Sequence, residues 1–180
     1  MIMLKTVAIS AAVFAVAFLM FVATRPDSFR LERSVLIAAP PEKVFALVSD
    51  FKQWPRWSPW EKLDPNMART FSGPERGVGS AYTWDSPSKA GAGRMEIKET
   101  QTDSKVTIQL NFIRPFAAQN TTEFSLQRQP NNATLFTWAM YGPSPYVAKL
   151  MQIFVSMDKM VGKDFEEGLG NLKRVAEATS

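Results

Sequence analysis

The sequence predicts an α+β fold: an antiparallel sheet of about seven strands packed against a long C-terminal helix, behind an apolar N-terminal helix. Three observations carry this. Between Phe29 and Gly142, apolar residues recur mostly at every second position, in short runs parted by Gly, Pro, Asn and Asp. Past Pro143 and Pro145 the apolar period changes to 3.6. Ahead of Arg25, the stretch VAISAAVFAVAFLMFVA (Val7 to Ala23) runs without a charge.

That first segment reaches the short limit for a membrane span and exceeds the apolar core of a typical signal peptide. A cleavage site is poorly specified. Cutting before Thr24 sets bulky Phe21 at −3, and cutting after Ala15–Ala17 leaves a mature chain beginning FLMFVA. The segment therefore reads as an uncleaved anchor over 1–25, with a folded domain over 26–180. Lys5 precedes it; Arg25, Arg30 and Arg33 follow, partly offset by Asp27 and Glu32. The short N-terminal tail and the folded C-terminal domain fit a single-pass anchor that holds the domain on the extracytoplasmic, periplasmic side.

The strands follow in order. In FRLERSVLI, Phe29, Leu31, Val35 and Ile37 share one parity, interrupted by Arg33. Pro40 and Pro41 end that strand, and Glu42 to Val48 forms a short helix. Asp50 caps the next turn, which carries WPRWSPW, Trp54 to Trp60. Its two prolines forbid a long helix or a central strand. NMARTFSGPERGVGSAYTWDS makes two short strands around a Gly/Pro turn. Four clearer strands then carry Met95 and Ile97; Val106, Ile108, Leu110 and Phe112; Phe124 and Leu126; Phe136, Trp138 and Met140. One continuous helix is expected from Tyr146 to Ala178, its stripe including Leu150, Phe154, Met157, Val161, Phe165, Leu172 and Val175. Gly162, Gly168 and Gly170 mark a close approach or a bend.

Composition narrows the chemistry. The chain has 180 residues, a formal charge of +4, no cysteine and no histidine. Disulfides and thiolate nucleophiles are excluded, as are the commonest general base and the commonest transition-metal ligand. Carboxylates alone remain for a metal, and none sit at calcium-loop spacing. Lys and Arg are dispersed, without a run that tracks a phosphate backbone, so no nucleic-acid partner is expected. No cofactor is called for.

Strand, short helices, six strands and a long C-terminal helix, with VLIAAPPEKVFALVSDFKQWPRWSPW in front, GVGSAYTW and GRMEI in the middle and MDKMVGKDFEEGLGNLK at the end, resemble the START-like superfamily (SRPBCC). The likeness runs from about Phe29 to Ala178, and is closest to the bacterial polyketide cyclase/dehydrase-like branch. The resemblance implies a helix-grip fold, in which the sheet curves around the long helix and leaves a cavity closed at one end by the short helices.

On that fold the tryptophans belong to the lid, where they either cap the core or border the cavity. Trp57 and Trp60 are expected to face a ligand, and Trp54, directly before a proline, to serve packing. Tyr82, Trp84, Met95, Phe112, Phe124, Trp138 and Met140 share the inward parity of their strands. Met151, Phe154 and Met157, with Met160, are the helix's contribution. A filled core and an occupied cavity draw on the same residue types, so parity does not separate them. Two functions stay open: an apolar small-molecule binding or transfer domain held at a membrane, and a metal-independent cyclase, dehydratase or hydrolase. Tyr82, Asp158 and Tyr141 are the acid or base candidates for the second. A third reading is an assembly partner with a vestigial cavity.

Overall fold

A computed structural model describes residues 2–88 and 90–178; Met1 and the last two residues of the expected 26–180 domain lie outside it. The period-two segments form one seven-stranded antiparallel sheet: β1 (Ser28–Ile37), β2 (Ala68–Ser72), β3 (Ala81–Asp85), β4 (Ala92–Gln101), β5 (Lys105–Arg114), β6 (Ala118–Gln129) and β7 (Ala133–Pro143). Their order is β1-β7-β6-β5-β4-β3-β2. Strands β2 to β7 form a meander, and β1 closes it by pairing with β7, Ser28 opposite Pro143 and Ile37 opposite Thr134. The sheet is curved and its inner face grips the C-terminal helix, with Leu31, Ile97, Ile108, Phe124, Phe136 and Trp138 buried beneath it.

The N-terminal helix α1 (Ile2–Ala23) contains one stretch, Lys5–Ala23, long and apolar enough to cross a membrane, and nearly all of it is exposed. The short helix α2 (Pro41–Val48) follows β1, begun by Pro41 where a missing N–H costs nothing. Two 3₁₀ turns follow, Phe51–Arg56 and Pro59–Lys62. Asp50 caps the first by accepting from the Lys52 amide at 2.8 Å.

The expected single C-terminal helix is two helices, α3 (Tyr146–Phe154) and α4 (Met157–Glu177). Val155 is extended, at φ −138° and ψ 110°, and Ser156 starts α4 by accepting from the Lys159 amide at 3.3 Å. A β-branched residue followed by a good N-cap gives the backbone a local alternative to one more helical turn. Only α4 lies in the grip of the sheet; α3 packs against α1. Gly168 permits the close approach of α4, since a Cβ there meets the Trp138 ring at 2.8 Å. That ring stacks on Phe165, with centroids 4.3 Å apart.

Arg33, the interruption in the apolar parity of β1, points inward and reaches α4, where it pairs with Asp158 and with Glu166 at 3.4 Å. The charge sits at the margin of the grip, where its guanidinium still meets carboxylates and solvent.

Candidate functional site

The lid is built from backbone carbonyls that α2 leaves unpaired. The Trp57 indole donates to the Leu47 carbonyl at 3.1 Å, and the Trp54 indole donates to Val48 at 3.3 Å. Asn171 of α4 donates to the Trp57 carbonyl at 3.2 Å, tying the lid to the helix. Both rings are thus turned inward with their polar atoms satisfied.

Beside them lies a cavity of about 320 Å³, near the lower end of the range for small-molecule sites. Trp54, Trp60, Leu63 and Met67 border it on the lid side; Tyr82, Trp84, Met95, Leu110, Phe112, Trp138 and Met140 on the sheet side; Val161 and Phe165 on α4. Trp60 meets the Trp138 ring edge-on at 5.4 Å and Phe165 at 6.1 Å. The ring of Trp84 lies over Gly93, where any Cβ meets it at 2.3 Å, and its indole donates to the Ala90 carbonyl at 3.0 Å. The Trp138 indole N–H is buried without a hydrogen-bond partner. An orphan donor of this kind costs about 1–3 kcal/mol until an acceptor reaches it.

One corner is polar. The Tyr82 hydroxyl donates to one Glu61 carboxylate oxygen at 2.7 Å, and Arg69 Nε donates to the other at 2.8 Å. Arg69 also donates to the Glu61 carbonyl at 2.9 Å, so guanidinium and carboxylate are locked together. Burial, and then the neighbouring Glu61 carboxylate, push the Tyr82 phenol well above its ordinary range. Tyr82 therefore stays protonated at neutral pH and acts as a donor. Asp64 secures the adjoining loop, accepting from the Ser86 hydroxyl and from the Asn66 amide at 2.8 Å. Those hydrogen bonds hold its carboxyl below the usual carboxylate range. Ser58, Thr122 and Asp164 complete the polar lining. Among the described residues, no three carboxylates converge as a metal site.

The structure distributes the expected site residues unevenly. Trp60, Tyr82, Trp84, Met95, Phe112, Trp138 and Met140 converge on the cavity. Trp57 and Phe124 are wholly buried behind it, packed on Trp54 at 4.9 and 5.9 Å. The expected order of the lid tryptophans is thus reversed, because Trp54 borders the cavity and Trp57 does not. Met157 packs on the core away from the cavity, and Met160 is half exposed. Met151 and Phe154 are carried off on α3, exposed by 47% and 70%. Of the acid or base candidates, Asp158 is paired with Arg33, outside the cavity lining. Tyr141 has the parity opposite to Met140 and sits under Arg30 on the other face, 5.1 Å from ring centroid to guanidinium. Glu61, Arg69 and Asp164 escaped sequence reasoning. The available signal was a Glu directly after Trp60, where the second 3₁₀ turn aims it at β3.

The profile of a family described as polyketide cyclase/dehydrase and lipid transport matches residues 28–177. No curated protein matches the chain. Among solved structures of the same fold, a Staphylococcus aureus protein of unknown function, SA2116, superposes with a TM-score of 0.62 at 13% identity, over 84% of this chain and 95% of its own. Protein CV1439 from Chromobacterium violaceum gives 0.56 at 15%, over 85% and 99%. Ara h 8.0201 gives 0.58 at 10%, over 84% and 99%.

Proposed function

The chain belongs to the polyketide cyclase/dehydrase and lipid transport family, within the START-like superfamily, and from that premise we propose that it is a membrane-anchored binding or transfer domain for a hydrophobic small molecule. The ligand, of lipid, isoprenoid or polyketide-like character, occupies the cavity between sheet and α4. The observation that carries this reading is the lining: rings and methionines predominate, with the hydrogen-bonded Glu61–Tyr82 pair set at one corner. Such a wall gives an apolar body most of its binding free energy through lost water contact, and the corner orients one polar end.

The Glu61–Tyr82 pair favours one alternative, a cofactor-free cyclase or dehydratase using the same cavity. Its chemistry counts against it. Both oxygens of Glu61 already accept hydrogen bonds, and Tyr82 holds its proton tightly, so the phenol is not poised for transfer near neutral pH. The binding reading is preferred.

Helix α1, long and apolar enough to cross a membrane, supports the anchor, and a cavity anchored in this way would lie where apolar ligands partition. The test is native mass spectrometry of the full chain released from host membranes in mild detergent. An adduct of one lipid or isoprenoid class, lost on denaturation and absent from Val161→Phe, is the expected result. A folded protein that never carries an adduct overturns the binding reading in favour of the transiently occupied enzyme pocket. A C-terminal reporter fusion tests the extracytoplasmic orientation.

A further inference from the structure

We infer that α3 is a membrane-surface helix, bedded in the lipid leaflet where α1 ends, so that the cavity-bearing end of the sheet is held against the bilayer. The inference rests on the reading of α1 as a spanning helix. It goes beyond that reading because an anchor alone leaves the domain free to swing.

The junction between anchor and domain has no slack. Only Thr24 to Asp27 separate α1 from β1, and these residues are themselves engaged. The Ser144 amide donates to the Asp27 carbonyl at 2.7 Å. Lys149, 8% exposed, reaches the Asp27 carboxylate at 2.5 Å and the Ala23 carbonyl at 3.5 Å. A cation is thereby set at the negative end of the α1 dipole. The Tyr146 hydroxyl donates to the Leu19 carbonyl at 2.9 Å. Leu19 lies four residues before the end of the span, about 6 Å along the helix axis. Tyr146 therefore meets α1 at interfacial depth, where tyrosines concentrate in membrane proteins.

With one flank of α3 fixed to α1 at that depth, the other flank is apolar and uncovered. Val147 is 68% exposed, Met151 47% and Phe154 70%, at positions i, i+4 and i+7 of one stripe, with Val155 following. The helix has no acidic residue, so nothing on it opposes a lipid surface. An amphipathic helix in the interface buries its apolar face by about 5–10 Å, which matches the depth at which α1 holds this one.

A second element lies at the same level. Thr121 pairs with Tyr141, and Ser28 with Pro143, so the β5–β6 turn sits beside the β7–α3 junction. That turn presents Phe116, 72% exposed, next to Ile113 at the end of β5. The cavity is at this end too, since Phe112, Met140 and Val161 border it.

The absence of native cysteine makes the test direct. Full-length Met151→Cys, Phe154→Cys, Val13→Cys and Leu36→Cys variants are labelled with an environment-sensitive fluorophore and reconstituted into phosphatidylcholine/phosphatidylglycerol vesicles carrying lipid-borne quenchers. Leu36, exposed near the opposite end of β1, is the control. Labels at 151 and 154 are expected to lose about half of their emission to quenchers at shallow depth, the label at 13 to respond to deep quenchers, and the label at 36 to lose less than about a tenth. Quenching at 13 without quenching at 151 and 154 overturns the surface helix and leaves the anchor standing. No quenching at 13 removes the anchor and the inference with it. Equal quenching at 36 means general adsorption, which also overturns the inference.

Discussion

The two ends of the sheet's inner face are built from the same residue types at the same parity, yet one is solid and the other hollow. Around Trp57, Phe124 and Phe136 every ring is buried, and Phe124 meets Phe136 at 5.4 Å and Trp57 at 6.1 Å. Around Trp60, Tyr82 and Trp84 the rings border open space, Trp60 edge-on to Trp138 and Tyr82 tilted against Trp84. The filled end lies directly beneath α2 and the first 3₁₀ turn, whose side chains descend onto it. At the other end the lid is the second 3₁₀ turn and the loop after it, with Trp54 at its edge, and the rings of Trp60 and Trp84 are braced by Trp138 and Phe112 respectively, which keeps the walls apart. Packing density, not residue type, separates a core from a site.

That contrast is most exposed to a substitution at the solid end. Trp57→Ala removes a fully buried ring together with a satisfied indole hydrogen bond, and is expected to cost about 3–5 kcal/mol in urea unfolding. A cost below about 1 kcal/mol would place Trp57 with the hollow end instead. Trp60→Ala takes away a partly buried wall. Its stability cost is expected near 1–2 kcal/mol, while affinity for an apolar fluorescent probe falls about tenfold.

Filling the hollow sharpens the comparison further. Val161→Phe projects a ring from α4 into the cavity, and is expected to shift stability by less than about 1.5 kcal/mol while abolishing probe uptake. Calorimetric unfolding beside a probe titration reads both, and retained uptake would mean that ligands enter elsewhere.

The smallest effect concerns the polar corner. In the unfolded chain Tyr82 ionises near pH 10, whereas in the fold it keeps its proton to higher pH. The folded state then holds the extra proton, so this residue withdraws stability as the pH rises above about 10 and changes nothing below it. Glu61→Gln removes the lesser cause and leaves burial, so the decline that sets in near pH 10 should level off at a lower pH than in the unsubstituted chain, without vanishing. Urea midpoints from about pH 9 upward decide it; a decline that levels off at the same pH in both chains would leave burial as the sole cause.

The strands, their inward parity and the family likeness were legible in the chain, because pleat and helix periods are local and print themselves at spacings of two and 3.6. So was the apolar stretch that becomes α1, since a span needs only length and the absence of charge. The break at Val155 was weakly legible, because extended backbone and a serine cap compete with helix by only about a kcal/mol, and packing of α3 on α1 tips the balance. The inward Arg33 looked like an interruption until α4 brought it Asp158 and Glu166. Which tryptophan faces the cavity depended on where the α2 carbonyls lie, and the Glu61–Arg69–Tyr82 corner joins three successive elements at spacings that neither the strand nor the helix period marks. Periodicity alone determined which side chains turn inward; whether they close on one another or stand around a space was decided by the tertiary structure, because that depends on how far the opposing elements descend onto the sheet.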